Sequence, residues 1–306
     1  MKKKWLMLGG VLGISSVMMI TTGINAFAST SGYDAYKSAL KNTRTIQNVA
    51  VQASASLQDN GNALASAAGN FKISLNTQTA SGSADVKVNG ATQSVNFYKL
   101  KDQTVLKSSS NETYYVKQQD KEKKKNNEKE TLDPQIPQQV ETVIDALVGN
   151  LKDYVAVDAK TDGSKEITAE LDNSQIPTVV NAIAPLVIKH ASNQKHDGEK
   201  KDDTSKELPF NRDVLQASSL QLTQDIKIEK VSFKADINNA NYIEHQEADI
   251  TISGKDVSGT AHQVTVHLQA NLSGYNTTTP DTIDLSGKQV QQMDNHQHGK
   301  FHGDNE

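Results

Sequence analysis

Histidines and carboxylates are the side chains of this 306-residue protein best equipped for chemistry: eight His against 36 Asp and Glu, with no cysteine at all. The missing thiol removes disulfides, thiolate nucleophiles and the acylated cysteine of a lipoprotein. The densest histidine group is His296, His298 and His302, flanked by Asp294 and Asp304. Imidazole nitrogens in such a cluster can take Zn²⁺, Cu²⁺ or Ni²⁺. Their spacing matches no structural zinc pattern, and the surrounding segment is polar, so it reads as a weak, adventitious chelating tail. No metal or other cofactor is expected. His262 and His267 fall an odd number of residues apart on a strand-like segment. They therefore face opposite sides and cannot share a metal locally. His190, His196 and His245 stand alone and read as solvated.

Catalysis finds little footing. Asp145, Asp153, Glu166 and Glu170 lie where solvated helix or strand faces are expected. No Gly-x-Ser-x-Gly elbow frames a nucleophile, and neither a phosphate-binding glycine loop nor a His-Glu-x-x-His helix occurs. The expectation is a protein that is not an enzyme. A formal charge of −4 with no net basic face argues against nucleic acid as a natural partner. Lys121 to Lys129, the most basic run, is interleaved with glutamates.

The elements that would carry these residues are mostly strands. Tyr33, Tyr36 and Leu40 recur at helical spacing and open the chain after its leader. The period then changes to two: Val49 to Leu57, Phe71 to Leu75 and Ala84 to Val88 alternate, and Asn89-Gly90 signals a tight hairpin into Val95 and Phe97. Further strands fit 104–107, 113–117, 154–158 and 166–171. Longer ones run through Val231–Ile237, Ala248–Ile252 and Val264–Leu272, and a last short one is expected at Ile283–Leu285. Charged stretches near 119–130 and 193–207 read as flexible loops.

Two amphipathic helices interrupt the strands. Ile136, Val140, Val143, Ile144, Leu147 and Leu151 make one apolar stripe. Gln175-Ile176-Pro177 repeats the Gln135-Ile136-Pro137 opening, and Val180, Ile183 and Val187 continue the second stripe. Proline suits a first helical turn, while Pro185 should kink or shorten the second helix.

This order of elements, from Tyr33 to Leu285, resembles the LolA/LppX-like superfamily of envelope proteins. The phrases Ser31-Gly32-Tyr33-Asp34-Ala35-Tyr36 and Thr278-Thr279-Pro280-Asp281-Thr282-Ile283-Asp284-Leu285 look like those of uncharacterised secreted proteins of Gram-positive bacteria. The resemblance implies an α+β fold: a curved antiparallel half-barrel of about 10–11 strands with helices packed over its concave face. It also implies that a lipid or lipoprotein acyl chain is held between sheet and lid. Under that arrangement Val140, Val143, Ile144, Leu147, Val179, Val180, Ile183 and Val187 would line an apolar cavity. The same stripes would equally serve as ordinary core against the sheet.

Lys2 to Lys4, an apolar run to about Ile24 and the small residues of Ala26-Phe27-Ala28 make residues 1–28 a signal peptide cleaved after Ala28. The apolar run is also long enough to span a bilayer as an uncleaved anchor. Residues 29–290 are expected to form one domain and 291–306 a polar, His-containing tail. The expected protein is extracytoplasmic and monomeric, binding a lipid or another apolar small molecule. An envelope interaction or sensing protein with no ligand cavity is the alternative, its partner another envelope protein.

Overall fold

The computed structural model describes residues 32–43, 45–88, 90–118, 153–177 and 222–293. Helix α1 spans Gly32–Thr43. Six strands follow: β1 Asn48–Asp59, β2 Asn62–Ser74, β3 Thr79–Val88, β4 Ala91–Lys99, β5 Gln103–Ser108 and β6 Tyr114–Gln118. The second series is β7 Val155–Ala159, β8 Lys165–Asp172, β9 Gln224–Ile237, β10 Ile243–Lys255, β11 Ala261–Ser273 and β12 Val290–Gln292. All twelve lie in one open sheet of order β12-β6-β5-β4-β3-β2-β1-β11-β10-β9-β8-β7. Two meanders, β1 to β6 and β11 back to β7, thus join along the antiparallel β1–β11 seam. The edge pair β12–β6 is parallel.

Local chemistry explains the tight turns. Asn60 and Gly61 both adopt positive φ (48° and 80°) between β1 and β2, the geometry of a primed hairpin turn that Asn-Gly accepts with little strain. The Asn60 side chain accepts a hydrogen bond from the Gln263 amide (3.0 Å) and so ties that turn to β11.

Strand alternation sorts the sheet into two faces. In register across the middle lie Val157, Ile167, Ala235, Gln246, Ala270, Ala53, Gly69, Ala84 and Val95. One residue along, the opposite face carries Glu166, Asp236, His245, Asn271, Gln52, Asn70, Ser83 and Asn96. Every hydrophobic cluster belongs to the first face. Ile46, Val49, Val51, Phe71 and Leu272 gather at one place, Leu222, Ile226 and Val264 at another. Ile167, Ala235, Ile237 and Ile243 pack under Ala39 and Leu40 of α1.

Helix α1 starts with Asp34 in its first turn and has Lys41 in its last, charges that complement the helix dipole. It lies over the β7–β10 end of the apolar face. Its end is fixed by Thr43, whose hydroxyl donates to the Ala39 carbonyl (2.8 Å) and accepts from the Ile243 amide (3.0 Å).

Four sequence expectations change. The sheet has twelve strands and not 10–11. β2 begins at Asn62, well before Phe71, because Ala65 to Gly69 are too small to give a hydropathy contrast. The expected strand at Ile283–Leu285 does not form. There Asp284 accepts a hydrogen bond from the Ser286 amide (2.9 Å), which curls the chain out of an extended ladder, and the last strand is Val290–Gln292. The expected half-barrel with helices over its concave face is not what the described residues form: they make a large, uncurled sheet with one helix, α1.

Candidate functional site

The apolar face is the candidate site, and its relief comes from residue size. On β2 and β4, Phe71 and Phe97 tilt against each other with centroids 5.9 Å apart. Gly82 lies between them, where a Cβ would meet both rings. Toward the middle the side chains shrink to Ala53, Ala55, Ala67, Gly69, Ala84, Ala248 and Ala270. Rows of alanine and glycine between bulkier flanks make a shallow apolar trough.

Polar groups are buried on this face too: Gln93 donates to the Ser108 hydroxyl (3.2 Å) on β4 and β5, and Gln246 lies nearer α1. Gln246 occupies an apolar-phase position on β10 and is only 7% exposed. Its Oε1 accepts a hydrogen bond from the Tyr36 hydroxyl of α1 (3.0 Å), and the Tyr36 ring meets Phe233 edge-on at 5.0 Å. Burial pushes the Tyr36 phenol well above its ordinary value, so it stays a neutral donor. Phe233, Gln246, Ala248, Leu268 and Ala270 border a recess of about 10 Å³, room for at most one water.

Another polar group marks the far margin of the same face. His262 of β11 is in register with Gly254 and points the way of Val264. Its Nδ1 lies 2.8 Å from Asp59 Oδ2, and its Nε2 is 3.5 Å from Asp256 Oδ2, an ion-pair distance but a poor hydrogen bond. Asp59, foremost, and then Asp256 raise the imidazole above its usual value, against the opposing effect of burial. Asp59 Oδ1 and His262 Nε2 are shielded from solvent without a hydrogen-bond partner.

The remaining histidines divide as the strand period requires. His267 sits on the polar face, its Nδ1 2.8 Å from Asp249. It shares nothing with His262. His245 is not the isolated solvated group expected of it: it is held between Asn271 (2.7 Å) and Glu247 (3.5 Å). Glu166 and Glu170 pair with Lys234 and Lys230 on the polar face. Among the described residues no group of three or more His, Asp and Glu side chains could hold a metal.

The lid residues Val140, Val143, Ile144, Leu147, Val179, Val180, Ile183 and Val187 lie outside the described residues, as do His296, His298 and His302. Sequence reasoning missed Gln246 and the Asp59–His262 pair. A glutamine in apolar phase beside Ala248 was the available signal for the first. The second depends on the β1–β11 pairing, which joins residues some 200 positions apart.

No protein-family model matches the chain, and no curated protein matches it. Among solved structures it is similar to a DUF1329 family protein from Desulfovibrio piger, at 8% identity over 84% of this chain and 97% of that one, with a TM-score of 0.19. A likeness that weak carries no argument. No family is assigned.

Proposed function

We infer that this is an exported, non-enzymatic binding protein that holds a lipid or other apolar ligand against the alanine-lined face of its sheet. The observation that carries the reading is the mismatch between that face and its cover. The apolar face runs the width of the sheet, whereas among the described residues the cover is α1, packed mainly against β7 to β10.

Chain connectivity supplies a candidate for the rest. β6 is next to one edge and β7 is the opposite edge, so residues 119–154 must cross ten strand spacings, roughly 50 Å at ~4.8 Å each. That connection carries Val140, Val143, Ile144 and Leu147. Residues 173–223 leave β8 and return beside it at β9, carrying Val179, Val180, Ile183 and Val187. Apolar stripes on both connections suit lid helices of the LolA/LppX kind over the sheet, with the ligand between. No helix among the described residues is long and apolar enough to cross a membrane; release by cleavage after Ala28 rests on the small residues of Ala26-Phe27-Ala28. The protein would act as a monomer, without metal, cofactor or nucleic acid.

Native mass spectrometry of protein purified from its host tests the reading. A bound mass that delipidation removes and a fluorescent fatty acid replaces is the expected result. A ligand-free spectrum with no fatty-acid uptake overturns it. The recess of about 10 Å³ beside Gln246 favours a second reading, an envelope interaction or sensing scaffold with a filled core. That alternative predicts a cross-linked partner protein and no exchangeable ligand.

A further inference from the structure

The polar face has a groove of its own, on the side of the sheet that the lipid reading leaves unused. After β11 the chain, residues 274–289, runs from the centre of the sheet to its β12 edge as a strap. Its Asn276 side chain accepts from the Gln47 amide and its Thr278 amide donates to the Asn48 side chain (both 2.8 Å). Further along, Asp281 accepts from Lys72 Nζ (2.7 Å) and from the Ser81 hydroxyl (3.2 Å), and its own amide donates to Ser81 Oγ (2.8 Å). Asp281 therefore stands as a wall beside a groove of about 420 Å³.

The floor of that groove is a ladder. Gln52, Asn70, Ser83 and Asn96 lie side by side on β1, β2, β3 and β4, in direct register. Strand spacing sets successive members ~4.8 Å apart. Gln52, Asn70 and Asn96 are exposed and make no side-chain hydrogen bond with any other described residue. A primary amide both donates and accepts, as does a sugar hydroxyl. Tyr98, one row along and half-buried, adds an aromatic surface with an apolar body and a polar tip. The one cation, Lys72, is already matched by Asp281, so the groove has no unpaired charge to recruit a phosphate or a metal ion.

We propose that this groove binds a neutral oligosaccharide, laid across β1 to β4 with its hydroxyls on the Gln52–Asn70–Asn96 ladder and a ring against Tyr98. An uncharged, hydroxyl-rich and stiff occupant matches an uncharged shelf of paired donors and acceptors fixed on strands.

Titration calorimetry of the mature chain with cellotetraose and with chitotetraose tests it. At least one probe gives saturable binding, and the double variant N70A/N96A weakens it at least about tenfold, the effect of losing one to two net hydrogen bonds. Y98A weakens it as well. N70A/N96A is on the solvent side and leaves the circular-dichroism melt unchanged, so it carries the test, while Y98A is read at a temperature where its melt shows it folded. Silence from both probes overturns the proposal, as does affinity that survives N70A/N96A. Competition by inorganic phosphate also overturns it, by making the groove an anion site. Fatty-acid uptake is unaffected by N70A/N96A, so failure of the sugar site and failure of the lipid site are read separately.

Discussion

The two faces of one sheet use the same strands for opposite purposes. On the apolar face, order comes from burial: Ile167, Ile237 and Ile243 are essentially inaccessible and α1 clamps them. On the polar face, order comes from cross-strand pairs such as Lys234–Glu166 (2.9 Å), from a strap stitched by side-chain hydrogen bonds, and from burial at the β3–β6 end, where Ser81, Val105 and Val116 are inaccessible. Away from that β3–β6 end, free energy is therefore concentrated on one face and spread thinly over the other, since buried apolar area outweighs exposed ion pairs. A sheet so arranged can vary its polar face for recognition at little cost in stability.

The sharpest break in that contrast is at the α1 end. Ile237→Ala should destabilise the protein by about 3 kcal/mol, the usual cost of a cavity at a closed site, read as a fall in the urea midpoint. Lys230→Ala on the opposite face of the same strand should move it by no more than about 0.5 kcal/mol, because its Glu170 partner is exposed. Equal effects would mean that the apolar face is not the core.

Next in size is Gly82→Val. An added side chain would meet the Phe71 and Phe97 rings, an overpacking expected to cost about 1–3 kcal/mol. Ala67→Phe, in the trough, separates the two functional readings. If a ligand lies there, the phenyl ring fills its place, and fatty-acid uptake drops about tenfold or more with little change in melting. If the face is filled core, the same substitution overpacks it and melting falls instead.

How much of this was legible in the sequence follows from the same contrast. Where large and polar residues alternate, as in Val264 to Leu272, period two alone gave the strand and its faces. In Ala65 to Gly69 both faces are small, and the strand was invisible there. α1 was readable because Tyr33, Tyr36 and Leu40 are large. The candidate site was only half readable. An apolar ligand surface follows from alternation, but which strands are neighbours does not, and neither Gln246 under Tyr36 nor the Asp59–His262 pair can be reached without the β1–β11 seam. The strap was lost for a further reason: its hold depends on side chains of Asn48, Lys72 and Ser81, which no local pattern joins to Asp281.

The margin of the apolar face should respond to pH. His262 is flanked by Asp59 from β1 and Asp256 from the β10–β11 turn, and its folded value is raised. A raised imidazole stabilises fully below its unfolded value, about 6.5, and that contribution is lost as pH climbs through the folded value. The melting-temperature gap between wild type and His262→Gln should thus be widest on the acid side of neutrality. It should narrow steadily toward alkaline pH. A gap that widens with rising pH would show that the ring is held neutral.

The smallest expected effect is on the polar face, at Asp281→Ala. Lys72 holds this carboxyl below its ordinary range, yet the two side chains are 46% and 57% exposed. Solvent screening limits such a pair to about 0.5 kcal/mol, and added salt should shrink even that. Ser81, although buried, does not become an orphan, because the backbone amide of residue 281 still donates to its hydroxyl. Global stability should barely move. What should change is local: the strap loses its side-chain anchor over β2 and β3, so protease cleavage within residues 274–289 should accelerate while the sheet stays folded. A large drop in the urea midpoint would instead make the strap part of the core, and the two faces would no longer be energetically distinct.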